Sequence, residues 1–253
     1  MKYQGNKNRY RAEILPIILN GWKGYNSGRY YVEPFCGSCS VLQYVNGKRI
    51  ANDKNKYLIA MWKSLVANKD IPRIIDKEFY DDVRDCFYGR NAKYSDDIVG
   101  WVGYMASYNG RFFDGGYSGH NVVIKDGSTR DYITENIENT IVQVPYLHDV
   151  DFRSCDYNEL ELPPNSLVYA DPPYKNTKQY MYSKDFDHET FYEWCRKTVA
   201  DGHTLFISEY NMPSDFECVW SKDVTCAMNP NITKNNTEKL FVLKGTVKRK
   251  TLF

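Results

Sequence analysis

The chain contains the stretch Ser166-Leu167-Val168-Tyr169-Ala170-Asp171-Pro172-Pro173-Tyr174, in which an apolar run is followed at once by four residues of different chemistry. The apolar run predicts a buried β-strand. The acid, the two prolines and the aromatic ring therefore follow the carboxyl end of a strand. That is the edge at which open α/β sheets bind their ligands.

The tetrapeptide Asp171–Tyr174 offers a carboxylate, fixed backbone carbonyls and a ring face. Proline has a fixed φ and no N–H group, so the carbonyl of Pro172 is a bare acceptor. Together these groups suit a flat amine, such as the exocyclic amino group of a nucleobase. A Pro-Pro turn after a strand, with Asp as a turn residue, explains the same four residues without a ligand.

Length and composition narrow the class of protein. The 253 residues suit one large domain, or one domain with a sizeable insertion. The 22 tyrosines suit stacking on nucleic acid as well as a protein core. No apolar run approaches the length of a transmembrane helix, and the N-terminal residues lack the apolar stretch of a signal peptide. Seven scattered cysteines favour a reducing cytoplasm over a disulfide framework.

Charge is unevenly distributed along the chain. The net charge is only +1, but residues 1–30 carry six Lys/Arg and one acid, and residues 221–253 carry seven Lys/Arg and two acids. If both termini lie on one face, the fold presents a basic surface for phosphates. Basic termini that are merely solvated account for the same distribution.

Two strand–helix pairs are predicted near the start of the chain. Predicted strands at 29–32 and 48–51 are followed by helical patterns at 40–45 and 58–66. This alternation predicts a parallel sheet. The later part adds a helix that begins after Asp187, and predicted strands at 150–153, 166–170, 203–208 and 239–243.

The pattern changes between residues 68 and 148. Helical patterns cover 76–88 and 96–108, and a third runs toward Pro145. The loop at 109–130 is rich in Gly, Asp, Ser and Asn, and a loop of that length is usually functional or disordered. These features predict an insertion into the α/β core.

Three further motifs follow predicted strands. The run Glu33-Pro34-Phe35-Cys36-Gly37-Ser38-Cys39-Ser40 forms a turn of small residues that lets a ligand approach the backbone. Asp53 ends the second strand, where an acid commonly binds a ribose diol or caps the next helix. Asp156-Tyr157 follows the third strand, where Asp also suits a turn.

The order of these motifs resembles that of the Dam-type DNA adenine methyltransferases, which use S-adenosylmethionine (SAM). Asp171–Tyr174 resembles their catalytic motif, and Tyr3-Gln4-Gly5-Asn6-Lys7 resembles their aromatic–x–Gly–x–Lys segment. Phe35 and Gly37 match their Phe-x-Gly-x-Gly loop, but Cys39 stands where the second glycine is usual. Tyr108-Asn109-Gly110-Arg111-Phe112 resembles the start of their DNA-recognition loop.

The resemblance implies a Rossmann-like methyltransferase fold of the α/β class, with a mostly parallel central sheet covered by helices on both faces. Residues 1–67 and 149–253 would form the SAM-binding catalytic domain. Residues 68–148 would form an inserted, mainly helical DNA-recognition domain. The implied enzyme methylates N6 of an adenine flipped out of double-stranded DNA, in the cytoplasm of a bacterium or of a phage-infected host. No metal, membrane or obligate protein partner is expected, and restriction-modification is among the implied roles.

The resemblance also assigns residues to the site. The expected catalytic residues are Asp171, Pro172 and Tyr174. The residues expected to bind SAM are Tyr3, Lys7, Glu33, Pro34, Phe35, Gly37, Ser38, Asp53, Asp156, Tyr157 and Asp171. The residues expected to contact DNA are Tyr108, Asn109, Arg111, Lys125, Arg130, Lys178 and Tyr180.

Three other functions remain open at this point. Related tetrapeptides serve amino-methyltransferases that act on RNA or on protein glutamine. Cys39 in the SAM loop leaves room for a DNA-binding module of the same fold without catalysis. Cys36 and Cys39 also form a Cys-x-x-Cys pair after a strand, as in thioredoxin-type redox proteins.

Overall fold

The structure is a computed structural model, and it describes residues 1–175, 185–225 and 235–246, without the side chains of residues 224, 225, 235 and 236. The chain divides into two compact units. The first comprises Met1–Asn8, Gly37–Tyr44 and Asn55–Cys155. The second comprises Arg9–Cys36, Val45–Lys54 and Asp156–Phe253.

The described residues form both α-helices and β-strands. The helices are α1 (Arg11–Ile18), α2 (Lys56–Val66), α3 (Lys77–Phe87), α4 (Asp96–Ala106), α5 (Tyr132–Ile141) and α6 (His188–Ala200). The strands are β1 (Tyr30–Glu33), β2 (Lys48–Asn52), β3 (Val122–Val123), β4 (Thr129–Arg130), β5 (Val150–Arg153), β6 (Leu167–Ala170), β7 (Thr204–Glu209), β8 (Phe216–Thr225) and β9 (Asn235–Leu243).

The main sheet has seven strands, and six of them lie in the second unit in the order β2-β1-β6-β7-β9-β8. Strands β2, β1, β6 and β7 run parallel to one another. Strand β9 is antiparallel to β7, and β8 is antiparallel to β9. The mostly parallel sheet is the one that the sequence predicts.

Strand β1 lies between β2 and β6. The next strand in the chain, β2, is on one side of β1, and the chain later returns to form β6 on the other side. Such a reversal opens a crevice at the carboxyl ends of the two diverging strands. In this sheet that position lies past Glu33, which ends β1, and Asp171, which follows β6. The order of the strands therefore places the tetrapeptide at the binding edge of the sheet.

Helix α6 begins as the sequence predicts. The side chain of Asp187 accepts hydrogen bonds from the backbone N–H groups of Glu189 and Thr190, which makes it the N-cap. The rings of Phe186 and Phe191 lie 5.5 Å apart and form the predicted hydrophobic staple.

The first unit is built on α2, α3, α4 and α5, with an aromatic core and a short hairpin. Phe87 packs against the rings of Phe112 and Phe113 at 5.0 and 5.3 Å. Tyr80, which is fully buried and lies on the same helix as Phe87, packs on Phe113 at 5.4 Å. Strands β3 and β4 pair antiparallel in the segment that was predicted as a loop.

Some local predictions are wrong. Residues 40–45 form a single 3-10 turn at Leu42–Tyr44 instead of a helix, because the chain must enter β2 at Lys48. Asp53 does not cap α2. That role belongs to Asn55, whose side chain accepts the N–H groups of Tyr57 and Leu58.

Candidate active site

Three acids lie at the ends of neighbouring parallel strands in the second unit. The register pairs Val32 with Val168 and Ala170 with Ile207. Glu33, Asp171 and Glu209 therefore come at the same edge of the sheet, on β1, after β6 and on β7. Glu33 and Glu209 are buried, and Asp171 is half-buried.

The tetrapeptide is held at its final residue. The hydroxyl of Tyr174 donates a hydrogen bond to Oε1 of Glu238 on β9. The ring of Tyr210 meets the Tyr174 ring nearly edge-on, with centroids 4.7 Å apart. The backbone N–H of Lys175 donates to Oε2 of Glu209 at 3.0 Å. Burial first, and then the nearby carboxylates of Asp171 and Glu238, raise the pKa of Tyr174 well above its usual value.

Glu209 is a buried acid with a strongly perturbed pKa. Burial raises the pKa of its carboxyl to about 7, and the charges of Asp171 and Glu238 act in the same direction. Backbone N–H groups of Tyr210 and Lys175 donate to its two oxygens and oppose the rise. Perturbed acids of this kind cluster at functional sites.

Polar side chains of β1 and β6 also have hydrogen-bond partners within the sheet. The hydroxyl of Tyr31 donates to Oε1 of Glu33 at 2.9 Å, and both residues are buried. The hydroxyls of Tyr169 and Ser208 lie 2.8 Å apart. Because these groups have partners, they can lie inside the sheet without the cost of an unpaired polar atom.

The loop after β1 is tied to the end of β2. The side-chain amide of Asn52 donates to the carbonyl of Pro34 at 3.0 Å, and the N–H of Cys36 donates to the backbone carbonyl of Asn52 at 2.8 Å. Asn52 is fully buried. The two bonds fix the start of the predicted SAM loop against the neighbouring strand.

Phe35 and Tyr157, both predicted to bind SAM, lie together. Their rings are 5.3 Å apart, and Phe186 and Phe191 pack on Phe35 at 5.8 and 5.9 Å. Phe35 remains half-buried. Burial raises the pKa of Tyr157 to about 12, so its hydroxyl stays protonated. The cluster offers ring surface suited to a flat heterocycle.

Asp156 is ion-paired, with its carboxylate 2.7 Å from the ammonium group of Lys54. Lys54 is largely exposed, so the pair is worth little in stability. Asp53 lies at the end of β2, half-buried, one residue before Lys54. Both predicted acids therefore follow strand ends, but neither caps a helix.

The glycine of the predicted SAM loop belongs to the first unit and is packed against Tyr3. The indole N–H of Trp62 donates to the carbonyl of Gly37 at 3.1 Å. The side-chain amide of Gln143 donates to the carbonyl of Ser38 at 3.2 Å. The loop backbone is thus held by two buried side chains.

Cys39, which replaces the second glycine of the pattern, has a φ of +53° and is fully buried. This is the left-handed conformation that glycine adopts most readily. The loop therefore keeps the backbone shape of the glycine pattern, with a small side chain carried into the core.

Lys7 is almost completely buried in the first unit. Its backbone N–H donates to Oγ of Ser40 at 3.3 Å, and its ammonium group donates to the carbonyl of Gly5 at 3.2 Å. The first of these contacts ties the N-terminal segment to the end of the predicted SAM loop.

The segment at 108–113 has an unusual backbone. Asn109, Phe112 and Phe113 all have positive φ angles, as does Gly110. Several such residues in a row store strain and occur mainly at functional sites. A Cβ on Gly110 would lie 2.4 Å from the carbonyl oxygen of Lys2, so the segment is packed directly on the backbone of Lys2 and Tyr3.

A cleft of about 100 Å³ adjoins this segment. Tyr108 and Asn109 are exposed on its wall. Its other lining residues are Lys2, Met105, Ser107, Ser118, Tyr132 and Asn136. The cleft and the strained segment adjoin one another on the surface of the first unit.

The predicted DNA-contacting cations lie in or near the hairpin. Lys125 is exposed between β3 and β4, and Arg111 is half-buried. Arg130 donates to both oxygens of Glu135 at 2.6 and 2.7 Å and lies over the ring of Tyr132 at 5.1 Å. Lys178 and Tyr180 lie outside the described residues.

Sequence reasoning missed Glu209, Tyr210 and Glu238, which surround Tyr174. One signal was present: Glu238 alternates with Leu240 and Val242 on the buried face of β9. An acid in such a row indicates a buried polar contact.

Within residues 1–175, 185–225 and 235–246, no group of three or more His, Cys, Asp or Glu side chains is arranged to hold a metal ion. None of the helices in that part of the chain combines the length and the apolar character needed to cross a membrane.

Comparison with solved structures gave a match to SMU.472, whose description assigns it to the methyltransferases, in complex with SAH. The identity is 14% and the TM-score is 0.39. The match covers 98% of this chain and 55% of the other, so the chain spans about half the length of that protein. The comparison with curated proteins gave no match.

A family comparison covers most of the chain. The sequence model of the D12 class N6 adenine-specific DNA methyltransferases matches residues 3–212. The matched range includes the N-terminal aromatic segment, the Phe35–Gly37 loop and the Asp171–Tyr174 tetrapeptide. The chain therefore belongs to the D12 class N6 adenine-specific DNA methyltransferase family, as the resemblance predicted.

Proposed function

We propose that the protein transfers a methyl group from SAM to the exocyclic N6 amine of an adenine in DNA. The observation that carries this proposal is the position of Asp171 and Pro172. They leave β6 at the carboxyl edge of the sheet, beside β1, whose own end continues into the loop of Phe35. The family to which the chain belongs supports the substrate.

The tetrapeptide's task is to orient a weak nucleophile. The lone pair of an adenine amine is delocalised into the purine ring. The carboxylate of Asp171 and the carbonyl of Pro172 each accept one amine hydrogen, which favours a pyramidal nitrogen with its lone pair directed at the incoming methyl group. Positioning of this kind supplies a large part of enzymatic rate enhancement. The ring of Tyr174 stacks on the base, which must leave the duplex to be reached.

The residues at the cofactor side fit SAM, whose sulfonium supplies the methyl group. The Phe35–Tyr157 pair offers ring surface for the adenine of the cofactor. Asp53 and Glu33 supply carboxylates at strand ends for hydroxyl and ammonium groups, and Asp156 accepts from the adenine amine. Tyr3 and Lys7 are assigned to the cofactor by the resemblance of the N-terminal segment. Pro34, Gly37 and Ser38 provide a backbone that side-chain hydrogen bonds hold in place.

DNA recognition is assigned to residues 68–148, inserted between the two parts of the catalytic domain at 1–67 and 149–253. We place Tyr108, Asn109 and Arg111 at the DNA, together with Lys125 and Arg130 of the hairpin. Exposed cations of this sort bind phosphates or guanine edges. Lys178 and Tyr180, which follow the tetrapeptide, are assigned to the extruded strand on sequence grounds. The substrate is double-stranded, and the enzyme acts in the cytoplasm of a bacterial cell, where that DNA is found.

The test compares the wild-type protein with Asp171→Ala, using labelled SAM and unmethylated duplex DNA. We expect the variant to lose methyl transfer and to keep its affinity for SAM. Asp201→Asn is the matched control, because that acid is exposed and pairs with Lys197 at the end of α6. Wild-type turnover by Asp171→Ala would refute the catalytic assignment. Label in RNA or in protein but not in DNA would refute the substrate.

A further inference from the structure

Glu238 reaches the catalytic edge because β9 runs antiparallel to β7. The register pairs Glu209 with Lys239, so the residue before Lys239 lies one step further toward the carboxyl edge of the parallel strands. Glu238 shares the buried face of β9 with Leu240 and Val242, and only 6% of its surface is exposed. A buried carboxylate is costly unless it is hydrogen-bonded, so its partner matters.

That partner is the last residue of the tetrapeptide. Tyr174 donates its hydroxyl hydrogen bond to Glu238, and its ring is met edge-on by Tyr210. The next backbone N–H, that of Lys175, is held by Glu209. The hydroxyl, the ring and the following peptide of Tyr174 are thus contacted by Glu238 of β9, by Tyr210 directly after β7 and by Glu209 of β7.

These contacts leave the Tyr174 ring little freedom. A tyrosine side chain has two rotatable torsions, and a fixed hydroxyl position together with an edge contact determines the ring plane. A ring that is aligned before the base arrives spends less conformational entropy when the base stacks on it. Hydrogen bonds to a charged acceptor are also stronger than neutral ones, which suits a fixed orientation.

We propose that Glu238 is a positioning residue for methyl transfer, which holds the Tyr174 ring in the plane that receives the target base. The inference rests on the proposed function, since the stacking role of Tyr174 belongs to it. Glu238 itself does not touch the reacting atoms. Replacing Glu238 therefore acts on the reaction through the Tyr174 ring. A change at Tyr174 that removes the same hydrogen bond must have the same effect.

Four variants separate the hydrogen bond from the charge. Tyr174→Phe keeps the Glu238 charge and loses the bond, whereas Glu238→Gln keeps an acceptor oxygen and loses the charge. Glu238→Ala loses both, and the double variant combines Tyr174→Phe with Glu238→Ala. Asp223→Asn is the control, an exposed acid on β8 that accepts a hydrogen bond from Thr237 of β9.

We expect kcat on duplex DNA to fall about tenfold in Tyr174→Phe and in Glu238→Ala, as loss of a charge-assisted hydrogen bond predicts. The double variant should lose no more than either single one. Glu238→Gln and Asp223→Asn should stay within about threefold of wild type. KM for DNA should change little in any of them, because phosphate contacts dominate affinity, and calorimetry should find SAM affinity unchanged.

Additive losses in the double variant, or wild-type kcat in Glu238→Ala, would overturn the proposal. If Glu238→Ala does not fold, the comparison of Tyr174→Phe with Glu238→Gln decides, and equal losses in both would count against a role for the hydrogen bond. A wild-type protein that methylates no DNA would instead overturn the proposed function. The same double-variant cycle, measured as unfolding free energy, then tests the contact: coupling supports it and additivity refutes it.

Discussion

The ring of Tyr3 occupies the space that a side chain on Gly37 would need. A Cβ built on Gly37 would lie 2.7 Å from Cε1 and 3.0 Å from Cζ of that ring, and the φ of Gly37 is +46°. Two independent constraints therefore require glycine at this position, the backbone conformation and the packing of the N-terminal segment. Both bear on the loop that is proposed to bind SAM.

Gly37→Ala should be clearly destabilising and should weaken SAM binding. The left-handed backbone costs an alanine about 1–2 kcal/mol, and the clash with Tyr3 adds about 1–3 kcal/mol of overpacking. Gly28→Ala is the control: its φ is +66° and nothing lies within 4 Å of an added Cβ. Chemical denaturation measures the unfolding free energy of both variants. Adding Tyr3→Ala to Gly37→Ala should restore only the stability that the clash removes. Equal losses of unfolding free energy in Gly37→Ala and Gly28→Ala would disprove the clash.

Asn52→Ala should loosen the loop after β1. The change removes the donor to the buried carbonyl of Pro34, and an unpaired buried carbonyl costs about 1–3 kcal/mol. We expect a loss of that size in unfolding free energy, together with weaker SAM binding by calorimetry. Asn46→Ala is the control, because that side chain is exposed. Unchanged SAM affinity in a destabilised Asn52→Ala variant would show that the loop does not contact the cofactor.

Glu209 should make the protein less stable as the pH rises. Its pKa is raised from about 4.5 in the unfolded chain to about 7 in the fold, so the folded state holds the proton more tightly. The stabilisation is complete below the unfolded value and is lost as the pH rises through 7, with a total of the order of 3 kcal/mol. The groups that face Glu209 include Asp171, Glu238, the hydroxyl of Tyr192 and the N–H groups of Lys175 and Tyr210.

The measurement is unfolding free energy between pH 4 and 8 for the wild type and Glu209→Gln. The variant loses one acceptor oxygen and should be less stable at low pH, but the difference between the two proteins should shrink as the pH rises. Other titrating groups cancel in this difference. A difference that is constant or grows with pH would show that the carboxyl of Glu209 is ionised in the fold.

Arg130→Ala should affect DNA binding far more than stability. Its pair with Glu135 is exposed, and such pairs contribute about 0.2–1 kcal/mol. If Arg130 contacts a phosphate, the salt dependence of DNA affinity should fall by about one unit of slope. Arg90→Ala is the control, since Arg90 forms a similar exposed pair with Asp85 after α3. An unchanged salt slope in Arg130→Ala would remove it from the DNA interface.

Sequence patterns predicted the parts of the fold in which local and global preferences agree. The apolar runs at β1, β2, β6 and β7 and the capped start of α6 are of this kind. Helix α1 was missed because Pro16 interrupts it and because it buries only Ile14 and Ile18. Strand β8 was missed because a register shift between Cys218 and Trp220 breaks its alternation.

The site was predicted unevenly for a similar reason. Residues next to a strand end in the sequence, such as Glu33 and Asp171, could be placed from the strand alone. The contact between Tyr174 and Glu238 joins residues 64 positions apart and depends on the antiparallel register of β9. A local sequence pattern does not reveal that register, so the partners of the tetrapeptide can be identified only from the folded structure.

The central claim is that residues 171–174 orient an adenine amine for methylation. The most direct measurement is to incubate the wild-type protein with labelled SAM and unmethylated duplex DNA, digest the DNA and identify the labelled nucleoside. The account predicts that N6-methyldeoxyadenosine carries the label and that Asp171→Ala gives none. Label in a modified cytosine, or in DNA treated with Asp171→Ala at the wild-type level, would contradict it.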